Sequence, residues 1–507
     1  MNNKKIAKNT IFLYVRMLLI LIVSLYTSRV VLDSLGIDDF GIYNIVGGVI
    51  SLFAFINGPM IEATQRFLNF YMGKDDKEGV KSVFNASLVI HIIIALLIVF
   101  FAETIGLWFL YEKIVIPDDR FFAACCVYHI SIFSSVMMIL SYPYNALIIA
   151  HEQMSVFAYI SIFEALSKLL IAVLILSSPC DKLIYYAILI GFVHVTVAGL
   201  YYIYCNKKYR ETQVSLLSVP KSLYKDMLGF TSWNFLGNIA SVCLSQGTNI
   251  LLNLFFGPAV NAAKGISVQV QNAVNQLSNN FQIAFKPQII KSYAGNELKA
   301  MHTLIFRASR FSFFLTYLLA LPIMSKTNWI LSIWLKEVPT YTIAFVRYTM
   351  LFALIQSLAT PLLTGSLATG RVKKIMLYIA SFFIMVIPIS YIALLWGGEP
   401  TIVFLIQLLM YLIAHIMRII IVSRQIFFGI NEYCKNVLYP IMVASIPSLV
   451  CSIILNNCLG DSLVFNLFQM LVICILNVLF IYYLGISKVE RNKINQIVIN
   501  RINNIIK

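Results

Sequence analysis

A chain of 507 residues that is 60% hydrophobic and only 12% charged, with a mean hydropathy of +0.84, is not an ordinary soluble domain. Apolar runs of the roughly 20 residues needed to cross a bilayer recur from end to end, which makes this a polytopic helical membrane protein. The net charge of +16 then points to basic cytoplasmic loops rather than to nucleic acid, and nine cysteines without CxxC or Cys/His spacing read as packing residues rather than disulfides or metal ligands.

After Lys4, Lys5 and Lys8, an apolar run covers Thr10 to Leu32. It is too long for a signal-peptide core and lacks a small-residue cleavage site, so it reads as an uncleaved first span. Further spans fit near residues 40–72, 82–110, 121–149, 155–177, 183–205, 226–256, 259–290, 304–335, 341–369, 375–396, 401–427, 437–456 and 462–486, fourteen in all. The loops test this count: of 38 Lys and Arg, 27 fall in segments assigned inside and 5 in segments assigned outside, the other 6 lying within spans. Both termini are therefore expected in the cytoplasm.

The chain also matches itself. A shift of 221 places Gly36 on Gly257, Gly41 on Ala262 and Val49 on Val270. A one-residue gap then pairs Gly73 with Gly295 and Asp75 with Glu297, and a shift of 218 brings Pro143 onto Pro361 and Ala150 onto Ala368. The offset covers an even number of spans, so the halves share one orientation. The predicted fold is all-α, with two six-helix lobes related by a pseudo-twofold axis along the membrane normal plus two C-terminal helices. Residues 1–206 form the first lobe, 207–225 a basic cytoplasmic linker, 226–428 the second lobe, 429–487 transmembrane helices 13 and 14, and 488–507 a basic amphipathic tail suited to anionic headgroups.

Polar residues inside spans mark the candidate site. From Gly257 to Gly295, Lys264, Gln271, Asn275, Asn279, Gln282 and Lys286 share one helical stripe, with Asn261, Gln269, Asn272 and Gln276 beside it. The second span echoes this with Asn44, Gly48, Ser51, Gly58, Glu62, Gln65 or Arg66, and Asn69. Such stripes on repeat-related helices would face each other across the lobe interface and line a hydrated chamber; amides that only tie helices together are the alternative. Charges within spans need compensation, because an Arg or Lys at the bilayer centre costs roughly 2.5 to 3.5 kcal/mol on insertion scales. Lys168 follows Glu164 by four residues, so that pair can neutralise itself, while Arg347 and Arg29 lie near helix ends from which they can snorkel. Arg66 has Glu62 four residues before it, whereas Arg16, Arg29 and Lys264 have no acid within helical reach. This excess of cations implies an anionic guest, most economically a phosphate or pyrophosphate.

The opening, from IAKNTIFLYVR through SLGIDDFGIYNIVGG to ATQRFLNFYMGKDD, resembles the start of bacterial polysaccharide flippases of the O-antigen and capsule type. These belong to the superfamily of multidrug, oligosaccharidyl-lipid and polysaccharide exporters. The likeness covers the whole chain in topology and is most specific over residues 6–75. It implies a flippase of the bacterial inner membrane that moves undecaprenyl-pyrophosphate-linked oligosaccharide repeat units from the inner to the outer leaflet by alternating access. Helices 1, 2, 7 and 8 line the cavity in relatives, and Arg16, Arg29, Arg66 and Lys264 occupy those helices here. The seventh helix departs from that pattern, with Asn234, Asn238, Gln246 and Asn249 but no cation, so it would hydrogen-bond sugar.

The partners so implied are the lipid-linked oligosaccharide, membrane lipids and other polysaccharide-assembly membrane proteins, and no nucleic acid. No cofactor and no bond chemistry are expected. Coupling to H+ or Na+ remains open, with Glu62 the candidate group. A cation-coupled multidrug exporter of the same fold is the main alternative, although unpaired carboxylates would suit it better. A membrane glycan polymerase would need a sizeable outside loop with an acid/base cluster, and the outside loops here are short.

Overall fold

The computed structural model describes residues 3–54, 57–112, 116–175, 178, 181–213, 219–335, 338–458, 463–488, 490–492 and 495–496. Several side chains of the first helix, Arg29 and Asn44 among them, lie outside that description, as does most of the tail read as amphipathic. Every regular element among the described residues is helical: α1 (Asn3–Ala54), α2 (Asn57–Gly73), α3 (Lys77–Phe101), α4 (Leu107–Glu112), α5 (Phe121–Ala150), α6 (Met154–Leu174) and α7 (Lys182–Lys208). Next come α8 (Lys221–Phe256), α9 (Pro258–Ala294), α10 (Leu298–Ser325), α11 (Thr327–Trp334), α12 (Thr342–Thr369), α13 (Lys373–Leu395) and α14 (Thr401–Ile426). The chain ends with α15 (Ile430–Tyr433), α16 (Tyr439–Cys458) and α17 (Leu463–Phe480).

Among the described residues, eleven helical stretches are long and apolar enough to cross a membrane. The expected spans missing from that set are α1, which is broken at Gly36, and the polar second and eighth spans, α2 and α9. Together they restore the fourteen.

Backbone geometry sharpens the internal repeat. Gly36 and Gly257 both sit at the corner between the first and second helix of a half, with φ of 80° and 78°, where a side chain would be strained. Asp75 and Asn296 are both left-handed caps, with φ of 55° and 58°. Their closing hydrogen bonds correspond one for one: Asp75 N to Met72 O and Asp76 N to Tyr71 O, against Asn296 N to Tyr293 O and Glu297 N to Ser292 O. The offset is therefore 221 at both ends of the helix, and the one-residue gap read from the sequence is not needed. Identity at Gly73 and Gly295 had suggested that gap, but cap geometry fixes register more tightly than side-chain identity does. Farther along, Glu152 (φ 59°) and Gly370 (φ 76°) end α5 and α12 at an offset of 218. Each of those helices carries its proline, Pro143 or Pro361, within.

The chain divides into two compact units. One comprises Met1–Phe235 with Ile290–Glu297, the other Leu236–Ile289 with Leu298–Lys507. In the first, α5 packs on α1, α2, α3 and α7, and α1 lies along α6. Tyr128, fully buried, donates its hydroxyl proton to Ala102 O at 2.6 Å, joining α5 to the end of α3. In the second, α12 takes the corresponding place against α10 and α14, with Phe345 stacked on Phe404 at 4.1 Å. The last two spans belong to this second unit. Tyr317 OH donates to Ser445 O at 2.8 Å and Asn456 Nδ2 donates to Ser325 O at 2.9 Å, fastening α16 to α10.

Two polar clusters tie the ends of the first unit. Arg120 donates from Nε to Asp39 Oδ1 at 2.8 Å and pairs with Asp181 at 2.5 Å. At the other end Lys291 donates to Ala150 O at 2.6 Å and to Glu152 Oε1 at 3.0 Å, while Asn9 Nδ2 donates to Glu152 O at 3.1 Å. Gly73 admits this approach, since a Cβ there would lie 2.6 Å from Lys291 O.

Candidate functional site

The candidate residues fall in both units, and each unit holds them differently. In the first, Arg16, Ile20, Ser24, Thr27 and Val31 form one stripe of α1, which lines a cavity of about 520 Å³. Ser161, Glu164 and Lys168 of α6 and Tyr186 of α7 complete its wall, with Tyr43 from beyond the Gly36 break. The Arg16 guanidinium lies over the Phe157 ring, 4.3 Å from its centroid, and its Nε is buried without a partner, as is the Thr27 hydroxyl. Glu164 acts on Arg16 electrostatically and pairs with Lys168 at 2.6 Å. An acid on α6 thus lies within electrostatic reach of Arg16, while its ion pair is with Lys168. A space of this size, with aromatic, hydroxyl and charged walls, suits a small polar ligand.

Arg66 is 6% exposed and sits among aromatic rings: its guanidinium is 4.5 Å from the Phe67 centroid, 4.8 Å from Phe70 and 5.6 Å from Phe230. Asp226, Tyr71 and Tyr293 are its electrostatic neighbours. Glu62 is half-buried one turn earlier. Asn234 is also in this unit, 3% exposed, with both amide atoms lacking a partner.

In the second unit Lys264 turns inward. It is 6% exposed and donates to Ser245 O at 2.9 Å and to the Thr248 hydroxyl, both on α8. Gln282 is buried as well, donating to Ser278 Oγ at 3.1 Å and Ser357 O at 3.3 Å. The exposed face of α9 is instead formed by Gln269, Asn272, Gln276 and Asn279, with Gln271 and Asn275 half-buried at its edge. Asn275 Nδ2 donates to Gln356 Oε1 at 3.3 Å. On α8 the exposed polar residues Asn238, Ser241 and Ser245 follow at helical spacing. The wet stripe read from the sequence is therefore rotated, because two of its members, Lys264 and Gln282, find partners on α8 and α12.

These exposed amides contrast with the exposed faces of other spans. On α3 the outward residues are Ile92, Ile93, Leu96, Leu97 and Phe100, as acyl chains require. Unsatisfied amides cannot face hydrocarbon at that rate, so the α8 and α9 stripes must meet water or a polar ligand.

Sequence reasoning missed the electrostatic reach of Glu164 to Arg16, the Phe230 ring beside Arg66, and a buried basic group on α14. The first two depend on residues far apart in the chain, which periodicity does not carry.

No family model matches the chain, and no curated protein matches it by sequence. Solved structures do match. A multidrug resistance MATE family transporter of the MOP superfamily, in an outward-facing conformation, superposes with a TM-score of 0.71 at 13% identity, over 83% of this chain and 95% of the other. A MATE structure in the bent conformation gives a TM-score of 0.73 at 14% identity, over 85% and 96%. A MOP superfamily transporter from Pyrococcus furiosus gives 0.68 at 14% identity, over 83% and 95%, and is described as having a binding pocket of reverse polarity that suggests a different function. At these identities the likeness establishes the fold: this chain has the all-helical architecture of MOP superfamily transporters.

Proposed function

We propose that this protein is a flippase that moves a lipid-linked oligosaccharide, carried on undecaprenyl pyrophosphate, from the inner to the outer leaflet of the bacterial inner membrane by alternating access. The observation that carries the reading is the charge of the buried polar groups. Arg16, Arg66 and Lys264 are held inside spans, Lys264 bonded to the neutral oxygens of Ser245 and Thr248, and the exposed amides of α8 and α9 offer hydrogen bonds without net charge. Cations suit a pyrophosphate and amides suit sugar hydroxyls. The lipid tail never leaves hydrocarbon, so no bond need be broken. Fold likeness to multidrug transporters supports a second reading, export of amphipathic drugs.

The test is reconstitution in vesicles with an undecaprenyl-pyrophosphate-linked glycan, following its accessibility to a membrane-impermeant glycosidase. Transport that falls at least tenfold in Arg66→Ala or Lys264→Ala, with unfolding midpoints unchanged, is the expected result. Undiminished movement in both variants, or resistance to cationic dyes in a sensitised strain without any glycan movement, favours the exporter.

A further inference from the structure

Arg418 lies eight residues from the end of α14, about 12 Å along a helix that rises 1.5 Å per residue. It is 8% exposed and makes no hydrogen bond or ion pair among the described residues; its Nε is fully enclosed. His415, one turn earlier, is 7% exposed, and neither ring nitrogen has a partner. Tyr411 and Tyr433 are the groups acting electrostatically on Arg418. The Tyr433 and Ser309 hydroxyls approach one another without reaching hydrogen-bond geometry, and both are enclosed and unsatisfied.

No carboxylate among the described residues of this unit is both buried and free to serve here. Glu490 is the one buried acid of this unit among the described residues. Its two oxygens are occupied by Arg307 at 3.0 Å and Arg310 at 2.5 Å, with Ser487 donating as well. Among the described residues, the interior of the second unit thus holds Lys264, Arg310, Lys326, Arg418 and His415 against a single committed carboxylate. A buried arginine without a counterion is among the costliest arrangements in a protein, and in a membrane water cannot offset it from outside.

Arginine offers only N–H donors, a neutral imidazole offers one N–H in either tautomer, and the two hydroxyls can each turn a proton inward. A water could give its protons to the bare imidazole nitrogen or to a hydroxyl oxygen, but it would leave the guanidinium charge uncompensated. A small anion accepts from all four groups and supplies that charge. We propose that Arg418, His415, Tyr433 and Ser309 form a buried site for a small monovalent inorganic anion of the chloride class, within the second unit and separate from the polar faces of α8 and α9. The anion completes the packing of α10, α14 and α15, so its binding stabilises the folded unit by mass action.

The experiment compares unfolding midpoints of the purified full-length protein in sodium chloride and in sodium gluconate at matched ionic strength, with bromide as a scattering probe for the same site. The expected result is an upward shift that saturates with chloride, is reproduced by bromide, and disappears in Arg418→Gln. Arg424→Gln, an exposed position on the same helix, should keep it. A bromide anomalous peak beside the Arg418 guanidinium of the wild-type protein decides the matter even where Arg418→Gln does not fold. A midpoint indifferent to chloride, a shift retained in Arg418→Gln, or density for ordered water only at the site overturns the proposal.

Discussion

Charged side chains in this protein are placed by partners that lie far away in sequence, and Asp181 shows what that does to its chemistry. Burial alone would raise its carboxyl. Hydrogen bonds from Arg120 and from the amides of Ile184 and Leu183 outweigh that, and hold it below its ordinary value of 3.8. A carboxyl depressed in the folded state contributes stability that is fully present above the unfolded value and is lost as pH falls through the folded one. The cluster should therefore be intact at neutral pH and fail only below about pH 4. Thermal unfolding in detergent between pH 3 and pH 6, roughly the window in which carboxylates titrate, should show a steeper acid loss for wild type than for Asp181→Asn. The asparagine variant should start lower at neutral pH, because it gives up the ion pair with Arg120 although its amide oxygen can keep the cap. Identical acid limbs would show that Asp181 is not held as described. None of this cluster was legible beforehand: Asp39 and Arg120 read only as loop charges on one side of the membrane, and their meeting depends on how α1, α5 and α7 pack. The candidate cations were legible as residue types, because a basic side chain inside an apolar run is conspicuous. Their surroundings were not, since Glu164 of α6 acts electrostatically on Arg16 of α1 and Phe230 reaches Arg66 from α8.

Helices were the most legible level, because a transmembrane span is a local property of composition and the corners between spans are set by single residues. Gly36 and Gly257 marked both first corners, and the left-handed caps at Asp75 and Asn296 confirm the repeat by geometry. The rotation of α9 was less legible. Hydrophobic periodicity gives a stripe, but a lysine or glutamine at its edge turns inward when a neighbouring helix offers carbonyls, as Ser245 does for Lys264. That distinction can be tested along one helix. Asn272 and Gln276 are exposed, so alanine there should leave stability within about 0.5 kcal/mol of wild type while reducing glycan movement or ligand affinity. Gln282 is buried and bonded to Ser278 and Ser357, so Gln282→Ala should cost about 1 kcal/mol of stability instead. Unfolding midpoints and vesicle transport measured on the same three variants separate the two outcomes. Full transport in the Asn272 and Gln276 variants would mean that the exposed stripe meets water alone.

At the scale of the whole chain, the question is whether the last two spans are an attachment or a part of the second unit. Their sequence favoured the first view, because they lie outside the internal repeat. The contacts favour the second. Gly485 sits where an added Cβ would come within 2.5 Å of the Phe314 ring, and Asn477 Nδ2 donates to Tyr317 O at 3.3 Å. Beyond them Glu490, 8% exposed, joins Arg307 and Arg310. In lipid no hydrophobic force drives one helix onto another, so close packing and polar bonds of this kind must hold α16 and α17 to α10. Removing one partner from a buried charge pair is far more damaging than never having built it, by about 3 to 5 kcal/mol. Glu490→Gln should accordingly lower the unfolding midpoint, since it leaves Arg310 enclosed without its counterion. Arg310→Met combined with Glu490→Gln should recover much of that loss, because the uncompensated charge is then gone. A Glu490→Gln variant as stable as wild type would return the last spans to the status of an appendage and leave Arg310 to be neutralised by other means.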